Sequence, residues 1–461
     1  MQAVPPGLYS AGKQVPHRLV PFRAPIVTPI RSARDTSDPA HDPASAITSF
    51  AQSLQLLRTR RFGTFCFASL LSNLGTWAQQ VAEPWLLLSL GASSFLIGLD
   101  SFAMAAPAWA LTLVGGILAD RADRRLVIAS CQSIQMFCPI ALIVLLLTGT
   151  VEPWMVIVLS AVVGVTDALS IPSFNSIVPS IVEHDQIASA LALNSTQFNL
   201  SRVLGPAIAG VLMASIGAVG CFALNAVSYL PFLWVALWIL PRGKPATAGD
   251  QPLDSQHLFT GIGEIARMPY LRGAFLTVLL TSTLSGQLIV FCPVLVKTVL
   301  HGDVGDFSAA IAAFGVGGLL GAIVLLGIDP QRDRRRLCSW AASFYGVVVA
   351  LAAINPWFRA LPALLALAGL ATTLSNTSAN SLLQAAALPR LRGESVSLYL
   401  LALRGGVSVG SLLTGLTVSL LGARDALLIN GLIAIVAQIA VGRHWFSVPP
   451  PNAVGNGQSV V

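Results

Sequence analysis

Five ionisable side chains interrupt long apolar stretches of this sequence: Glu83, Asp100, Asp167, Arg202 and Arg404. A charged side chain in the hydrocarbon core of a membrane costs on the order of 2.5–3.5 kcal/mol on insertion scales, so each needs a partner or a function. Carboxyl and guanidinium groups in such positions can transfer protons, bind charged cargo or hold helices together.

Asp167 and Arg202 are predicted to lie at similar depth in consecutive apolar stretches. Arg202 lies about 14 residues, or roughly 21 Å, into its stretch, and Asp167 lies about 10 residues, or roughly 15 Å, from the end of its own. We therefore expect an ion pair between them, which either lines a cavity and acts in coupling or substrate binding, or is a static clamp between helices. Arg404 is the counterpart of Arg202 in the second half of the chain, displaced by one helical turn.

Glu83 and Asp100 lie only about five or six residues inside the ends of their stretches, or roughly 8–9 Å. They could be protonatable groups at an outward vestibule, or equally the wetted ends of long helices. Glu83 shares a helical face with Asn73, Thr76 and Gln80, and this polar face is predicted to line a cavity.

A second polar stripe has the spacing of one helical face. It consists of Thr373, Asn376, Asn380 and Gln384 in an otherwise apolar stretch. Such a stripe can contact cargo, and it can equally form hydrogen bonds between helices. Both readings remain open from the sequence.

The composition is that of an integral membrane protein. Of 461 residues, 54% are hydrophobic and 10% are charged, and the mean hydropathy is +0.74; soluble domains carry about 25% charged residues. The net charge of +7 does not indicate nucleic-acid binding, because 22 of the 27 Lys and Arg residues fall on one side of the predicted topology. This positive-inside pattern predicts cytoplasmic N and C termini.

The apolar stretches predict an all-α polytopic fold with twelve transmembrane helices in two six-helix bundles. The predicted spans are 63–89, 94–118, 126–148, 154–177, 188–214, 218–241, 270–298, 306–328, 337–354, 359–385, 396–421 and 424–445. The predicted domains are a disordered basic cytoplasmic arm (1–57), an N-terminal bundle (58–241), a cytoplasmic linker (242–268), a C-terminal bundle (269–446) and a disordered tail (447–461).

An internal repeat supports the two bundles. Gly205, Gly210, Gly217 and Asn225 recur 205 residues later, as Gly410, Gly415, Gly422 and Asn430. Parallel repeats of this kind place a substrate site between the two halves, near the membrane midplane.

A short charged turn separates the second and third predicted spans. Gly116, Asp120, Arg121, Arg124 and Arg125 in this turn resemble the loop signature of the major facilitator superfamily. Gly116 is predicted to let two helices approach closely. The resemblance implies that the charged residues latch the cytoplasmic end of one bundle to its neighbour in the outward-open state. Asp123 departs from the signature, which has glycine there.

Residues 178–182, 191–195 and 202–210 resemble the branch of this superfamily that contains macrolide and multidrug exporters and the enterobactin exporter. Gly205 and Pro206, followed by Gly210, resemble the antiporter motif of exporters. A Gly-Pro step inside a helix frees a backbone carbonyl and permits bending. A plain packing kink is the alternative reading.

These features predict a multi-pass protein of the inner (cytoplasmic) membrane that is not an enzyme. We expect alternating access, with export of an amphipathic small molecule (drug, macrolide, siderophore or metabolite) against entering protons. The alternatives are an uptake symporter or a lipid translocator and, more remotely, a membrane-embedded enzyme, against which the scattered histidines argue. No catalytic residue, metal site, cofactor or nucleic-acid partner is expected, and the protein should act as a monomer among membrane lipids.

Overall fold

A computed structural model describes residues 55–183, 186–241, 268–328, 333–386 and 392–447. Nearly all of the predicted arm (1–57), the linker apart from its last residue, and the tail from residue 448 onward lie outside these described residues. Within them, every regular element is helical.

We number the longer helices in chain order. They are α1 (Arg60–Ser89), α2 (Ser94–Ala105), α3 (Pro107–Arg121), α4 (Arg124–Thr148), α5 (Pro153–Ile177), α6 (Ile187–Ser215), α7 (Ala218–Trp238), α8 (Pro269–Leu280), α9 (Val304–Leu326), α10 (Arg335–Ile354), α11 (Leu361–Ala386), α12 (Arg392–Leu421) and α13 (Ala423–Phe446).

Two predicted spans are interrupted. The second is divided between α2 and α3, because Pro107 has no N–H to donate and begins a new helix after Ala106. The seventh continues beyond α8 through a π-helical turn at Thr281–Ser285 and further short turns as far as Val299. Such turns inside a helix are frequent at functional sites.

The length and apolar composition of the helices are those of a membrane protein. Ten described helical segments are long and apolar enough to cross a bilayer. They correspond to the third through twelfth predicted spans. The 30-residue α1, which begins with two arginines, and the divided α2–α3 pair are not among the ten.

Most helices pack within their own half of the chain. In the first half α1 packs on α6 and α7, while α5 packs on α2, α3 and α4. In the second half α11 packs on α9 and α10, and α13 packs on α10. The two most extensive contacts between the halves place α2 against α12 and α6 against α9.

These two contacts define the two ends of the molecule. The start of α2 meets the end of α12, and the end of α6 meets the start of α9, because Gly98 abuts Ser411 and Gly210 abuts Ser308. The turns containing Arg121–Arg125 and Arg334–Arg336 therefore lie together at the opposite end. We call that end the arginine face and the other end the far face.

The apolar core differs between the two ends. Near the far face a single cluster contains side chains of both halves, including Leu87, Phe222, Phe291 and Phe307. Near the arginine face each half has its own cluster, one around Phe65 and the other around Leu271, Leu398 and Trp445. Among the described residues, the buried apolar cluster shared by the two halves therefore lies toward the far face.

The repeated residues occupy equivalent places. Gly205 abuts Trp77 of α1, and Gly410 abuts Thr283, which follows α8. Gly210 abuts α9, and Gly415 abuts α2 in the same way. Gly217 and Gly422 precede α7 and α13 with φ of 78° and 87°, in the left-handed region that favours glycine.

Candidate transport cavity

A cavity of about 490 Å³ lies between the two halves and is lined by both. Its lining residues come from the middle of the helices and from their parts nearer the arginine face, such as Ser69 of α1, Asn175 of α5 and Asn380 of α11. Toward the far face the lining ends near Pro84 and Asp100. The cavity is therefore open toward the arginine face.

Contacts between the halves close the far end of the cavity. Trp85 of α1 stacks on Phe307 of α9, with ring centroids 4.9 Å apart and an interplanar angle of 18°. Beside them, Lys297 Nζ donates to the carbonyl oxygen of Leu88, at the end of α1, across 3.5 Å. A cation at a helix C-terminus is also favoured by the helix dipole.

The predicted ion pair between Asp167 and Arg202 is wrong. Asp167 pairs instead with Arg404 of the second half, whose Nη1 lies 3.1 Å from Oδ2. Gln135 donates to the other carboxylate oxygen across 2.9 Å. The prediction failed because it took consecutive helices as neighbours, whereas α5 packs on α2, α3 and α4 and α6 packs on α1 and α9.

Arg202 lines the same cavity and is half-buried. It has no ion-pair partner among the described residues. Its charge interacts with the phenol of Tyr345 in α10, which also lines the cavity. Pro206, one turn later, also lines the cavity and cannot donate the helical hydrogen bond to the carbonyl of Arg202.

Glu83 and Asp100 are buried, with exposed fractions of 4% and 3%, so their reading as wetted helix ends is wrong. Both line the closed end of the cavity and lie close enough to interact electrostatically. Gln79 donates to Glu83 across 2.7 Å and accepts from Asn225 across 2.6 Å. Asp100 Oδ1 has no hydrogen-bond partner within the described part of the chain.

Both predicted polar stripes reach the cavity. Asn73 and Gln80 line it on α1, and Thr373, Asn376 and Asn380 line it on α11. The side chain of Gln384 lies outside the described part. The hydrogen bond seen for Asn376 joins it to Thr372 of its own helix, and does not link two helices.

The arginine turn makes contacts within its own half. Arg124 donates to the carbonyl oxygens of Ala119 and Ser176, at 3.0 and 3.3 Å. Arg125 pairs with Asp123 at 3.1 Å and donates to the carbonyl oxygen of Leu237, at the end of α7. Asp123, the position that departs from the family signature, caps the start of α4. Arg121 is exposed, and the side chain of Asp120 is not described.

The close helix approach predicted for Gly116 is wrong. Nothing lies within 4 Å of where its Cβ would be. Gly115 makes the approach, because a Cβ there would lie 2.5 Å from the carbonyl oxygen of Ala168 in α5. Successive helical residues differ by about 100° in direction, so a shift of one position turns the glycine away from its neighbour.

The second half repeats the arginine contacts. Arg335 pairs with Asp333 and donates to the carbonyl oxygen of Trp445, at the end of α13, across 3.1 Å. Arg334 donates to the carbonyl oxygen of Ile328. Partial burial alone would raise the pKa of Asp333, but the hydrogen bonds and charge of Arg335 outweigh it and hold that pKa below its ordinary value.

Sequence reasoning missed several residues of the site. Gln79 lies four residues before Glu83, so the helical period could have identified it as a partner. The contacts of Gln135 and Tyr345 depend on which helices pack together, and no signal in a single sequence gives that packing.

An inter-half cavity that is open at one end of a helical membrane protein and contains buried charges is the architecture of a membrane transporter. The chain belongs to the transmembrane secretion effector family, part of the major facilitator superfamily, whose profile matches residues 51–457. It is a multi-pass protein of the inner membrane and a transporter; the remote alternative of a membrane enzyme is thereby wrong.

Several curated proteins are similar to this chain. The staphyloferrin A transporter of Staphylococcus aureus (strain NCTC 8325 / PS 47) is 24% identical over 372 residues, 80% of this chain and 93% of that protein. The enterobactin exporter EntS of Escherichia coli (strain K12) is 26% identical over 424 residues, 87% and 97% of the two chains. The multidrug efflux pump Tap of Mycolicibacterium fortuitum is 24% identical over 342 residues, 72% and 82% of the two chains.

Solved structures share the fold. The nucleoside transporter NupG matches with a TM-score of 0.60 at 14% identity, over 85% of this chain and 100% of that chain. A bacterial homologue of the human lysosomal transporter Spinster, in an inward-facing and unoccupied conformation, matches with a TM-score of 0.62 at 16% identity, over 86% and 99% of the two chains. At these identities the likeness concerns the fold alone.

Proposed function

We propose that this protein exports an amphipathic small molecule by alternating access, in exchange for protons. In this proposal α1 and the α2–α3 pair also cross the membrane, which gives twelve spans in two bundles, 58–241 and 269–446. The arginine face is cytoplasmic, in keeping with the positive-inside pattern. The protein works as a monomer surrounded by lipid.

The cavity is the observation that carries the proposal. It opens toward the arginine face and is closed toward the far face by the stacked rings of Trp85 and Phe307. With a cytoplasmic arginine face, this is the inward-open state in which an exporter loads its cargo. Names of similar proteins, which include a siderophore exporter and a multidrug efflux pump, favour export of such molecules.

Coupling is assigned to the carboxyl groups at the closed end. Glu83 and Asp100 are buried, electrostatically coupled and surrounded by neutral partners such as Gln79. Two buried carboxyl groups that interact electrostatically favour holding one proton between them. A proton taken from outside and released inside would change the charge at the point where the halves meet. The Asp167–Arg404 pair would transmit that change between the bundles.

The arginine turn has its proposed role in the other conformation. In this structure Arg124 and Arg125 bind the ends of α5 and α7, inside their own half. When the cavity closes on the cytoplasmic side, the turn would approach the second bundle, and its charged residues, Asp120 and Arg121 included, would latch there. The Gly205–Pro206 step, with Gly210, would let α6 bend, although both glycines also serve close packing here.

Transport in membrane vesicles of opposite orientation tests the proposal. Inverted vesicles with an acidic lumen should accumulate unmodified enterobactin, staphyloferrin A or a macrolide, and collapse of the pH gradient should abolish accumulation. Vesicles from cells that lack the protein serve as the control. Accumulation only in right-side-out vesicles with an inward proton gradient would instead indicate an uptake symporter, and flip of labelled lipid alone would indicate a lipid translocator.

A further inference from the structure

The charges that line the cavity do not balance one another locally. Of the described lining residues, five carry acidic or basic side chains other than tyrosine. Asp167 and Arg404 neutralise each other in an ion pair, and Glu83 and Asp100 are sequestered at the closed end. The remaining charged residue is Arg202. It is half-buried, lines the cavity and forms no ion pair with a carboxylate of the described residues.

An unpaired, half-buried guanidinium that lines a cavity is a site for an anion. Arginine presents a planar fork of donors that matches a carboxylate or phosphate oxygen pair. No lysine or histidine is among the described residues that line the cavity, so Arg202 is the one cation there that is not already neutralised. Cationic cargo, by contrast, would have to lie beside this charge.

The face of α6 around Arg202 also offers an apolar surface. Phe198 lies four residues earlier, on the same helical face, and both side chains line the cavity. Phe198 meets Trp77 of α1 edge to face, with centroids 6.2 Å apart. A molecule with an anionic group at Arg202 can therefore place an aromatic or aliphatic body against these rings.

A second polar group lies near this position. A Cβ at Gly318 of α9 would lie 3.1 Å from Val203 and 3.3 Å from Thr373, so the Arg202 region of α6 and the Thr373 region of α11 are brought together. One turn beyond Thr373, Asn376 is 5% exposed, lines the cavity and has an amide oxygen without a hydrogen-bond partner in the described chain. A buried amide atom left unpaired is costly, and a polar group on the cargo would relieve that cost.

We propose that Arg202 anchors an anionic oxygen group of the cargo, so that the transported molecule is an amphipathic organic acid with a further polar group that reaches Asn376. This cargo class presupposes that the cavity is the transport site proposed above. It excludes lipophilic cations as preferred cargo.

A matched set of small probes tests the charge preference on the purified full chain in lipid nanodiscs. The probes are 4-phenylbutyrate, 4-phenylbutylamine and 4-phenylbutanol, which share one body and differ in head group. Binding is followed by the fluorescence of Trp77, with its change under each probe assigned by a Trp77→Phe variant. We expect the acid to bind at least about ten-fold more tightly than the amine, as a charge-assisted contact implies.

Substitutions then locate the preference. Arg202→Gln should abolish the advantage of the acid, and Arg202→Lys should restore part of it, which also shows that the site still folds. Arg443→Gln, the same change at an exposed arginine outside the cavity lining, should leave all three affinities unchanged.

Equal binding of the acid and the amine, absence of saturable acid binding, or an unchanged preference in Arg202→Gln would overturn the inference. Failure of the proposed export is detected separately. In that case no candidate cargo moves in either vesicle orientation, while the binding preference of the purified protein stands.

Discussion

The partner of each buried charge is set by helix packing across the molecule. Depth along a helix follows from the rise per residue, and this was enough to identify all five ionisable residues that line the cavity from the sequence. Their partners were not available in this way, because Arg404 lies 237 positions from Asp167 along the chain. The Asp167–Arg404 pair joins the two halves, so it can break or form when the halves move relative to each other. An ion pair within one half would not respond to such a movement.

Neutralising both members of the Asp167–Arg404 pair tests whether it has the proposed coupling role or is a static clamp. Asp167→Asn or Arg404→Gln alone leaves one uncompensated charge, which should cost about 1–3 kcal/mol since the pair is partly exposed. The double variant should recover thermal stability but not uphill transport, measured as unfolding midpoint and as pH-driven accumulation in inverted vesicles.

Arg359→Gln, a change at an exposed arginine in the short turn Phe358–Ala360, is the control and should alter neither quantity. Full uphill transport in the double variant would contradict a coupling role and leave the pair as a clamp.

At the scale of the helices, apolar stretches predicted most boundaries because about 20 apolar residues are needed to cross a bilayer. The interruption at Ala106 and the π-helical turn at Thr281–Ser285 were not predicted. Such breaks depend on how neighbouring helices and side chains satisfy the freed backbone groups. Similarly, the family signature includes Gly116, but the rotation of α3 about its axis brings Gly115 against the neighbouring helix.

The neighbouring glycines of α3 provide a matched pair of substitutions. Gly115→Ala should destabilise the protein by about 1–3 kcal/mol, because the new methyl group would press on the carbonyl oxygen of Ala168. Gly116→Ala should be neutral or slightly stabilising, because its methyl group meets open space and alanine favours the helix. Thermal unfolding in detergent measures both, and equal effects would contradict this assignment of the contact.

At the scale of the whole molecule, the repeat of glycines and arginine turns indicated two similar halves, and the structure gives those residues equivalent contacts. The state of the cavity could not be predicted, because in the proposed alternating-access cycle one sequence must stabilise both an open and a closed arrangement of the same helices. Far-face packing of Phe291, Phe307 and their neighbours stabilises the arrangement described here. Alternating access requires that packing to be exchanged for contacts at the arginine face.

Distances between spin labels on the two halves test this exchange most directly. One pair, at Glu183 and Arg443, reports on the arginine face, and another, at Thr150 and Arg424, reports on the far face; all four positions are exposed. The six cysteines of the chain are buried, so labels should attach to the introduced positions.

Double electron–electron resonance in nanodiscs at pH 8 and pH 5 gives the decisive comparison. The account predicts two populations whose proportions change with pH, with the distance across the arginine face shortening as the distance across the far face lengthens. A single unchanging distance for both pairs, or changes of the same sign at both faces, would contradict it.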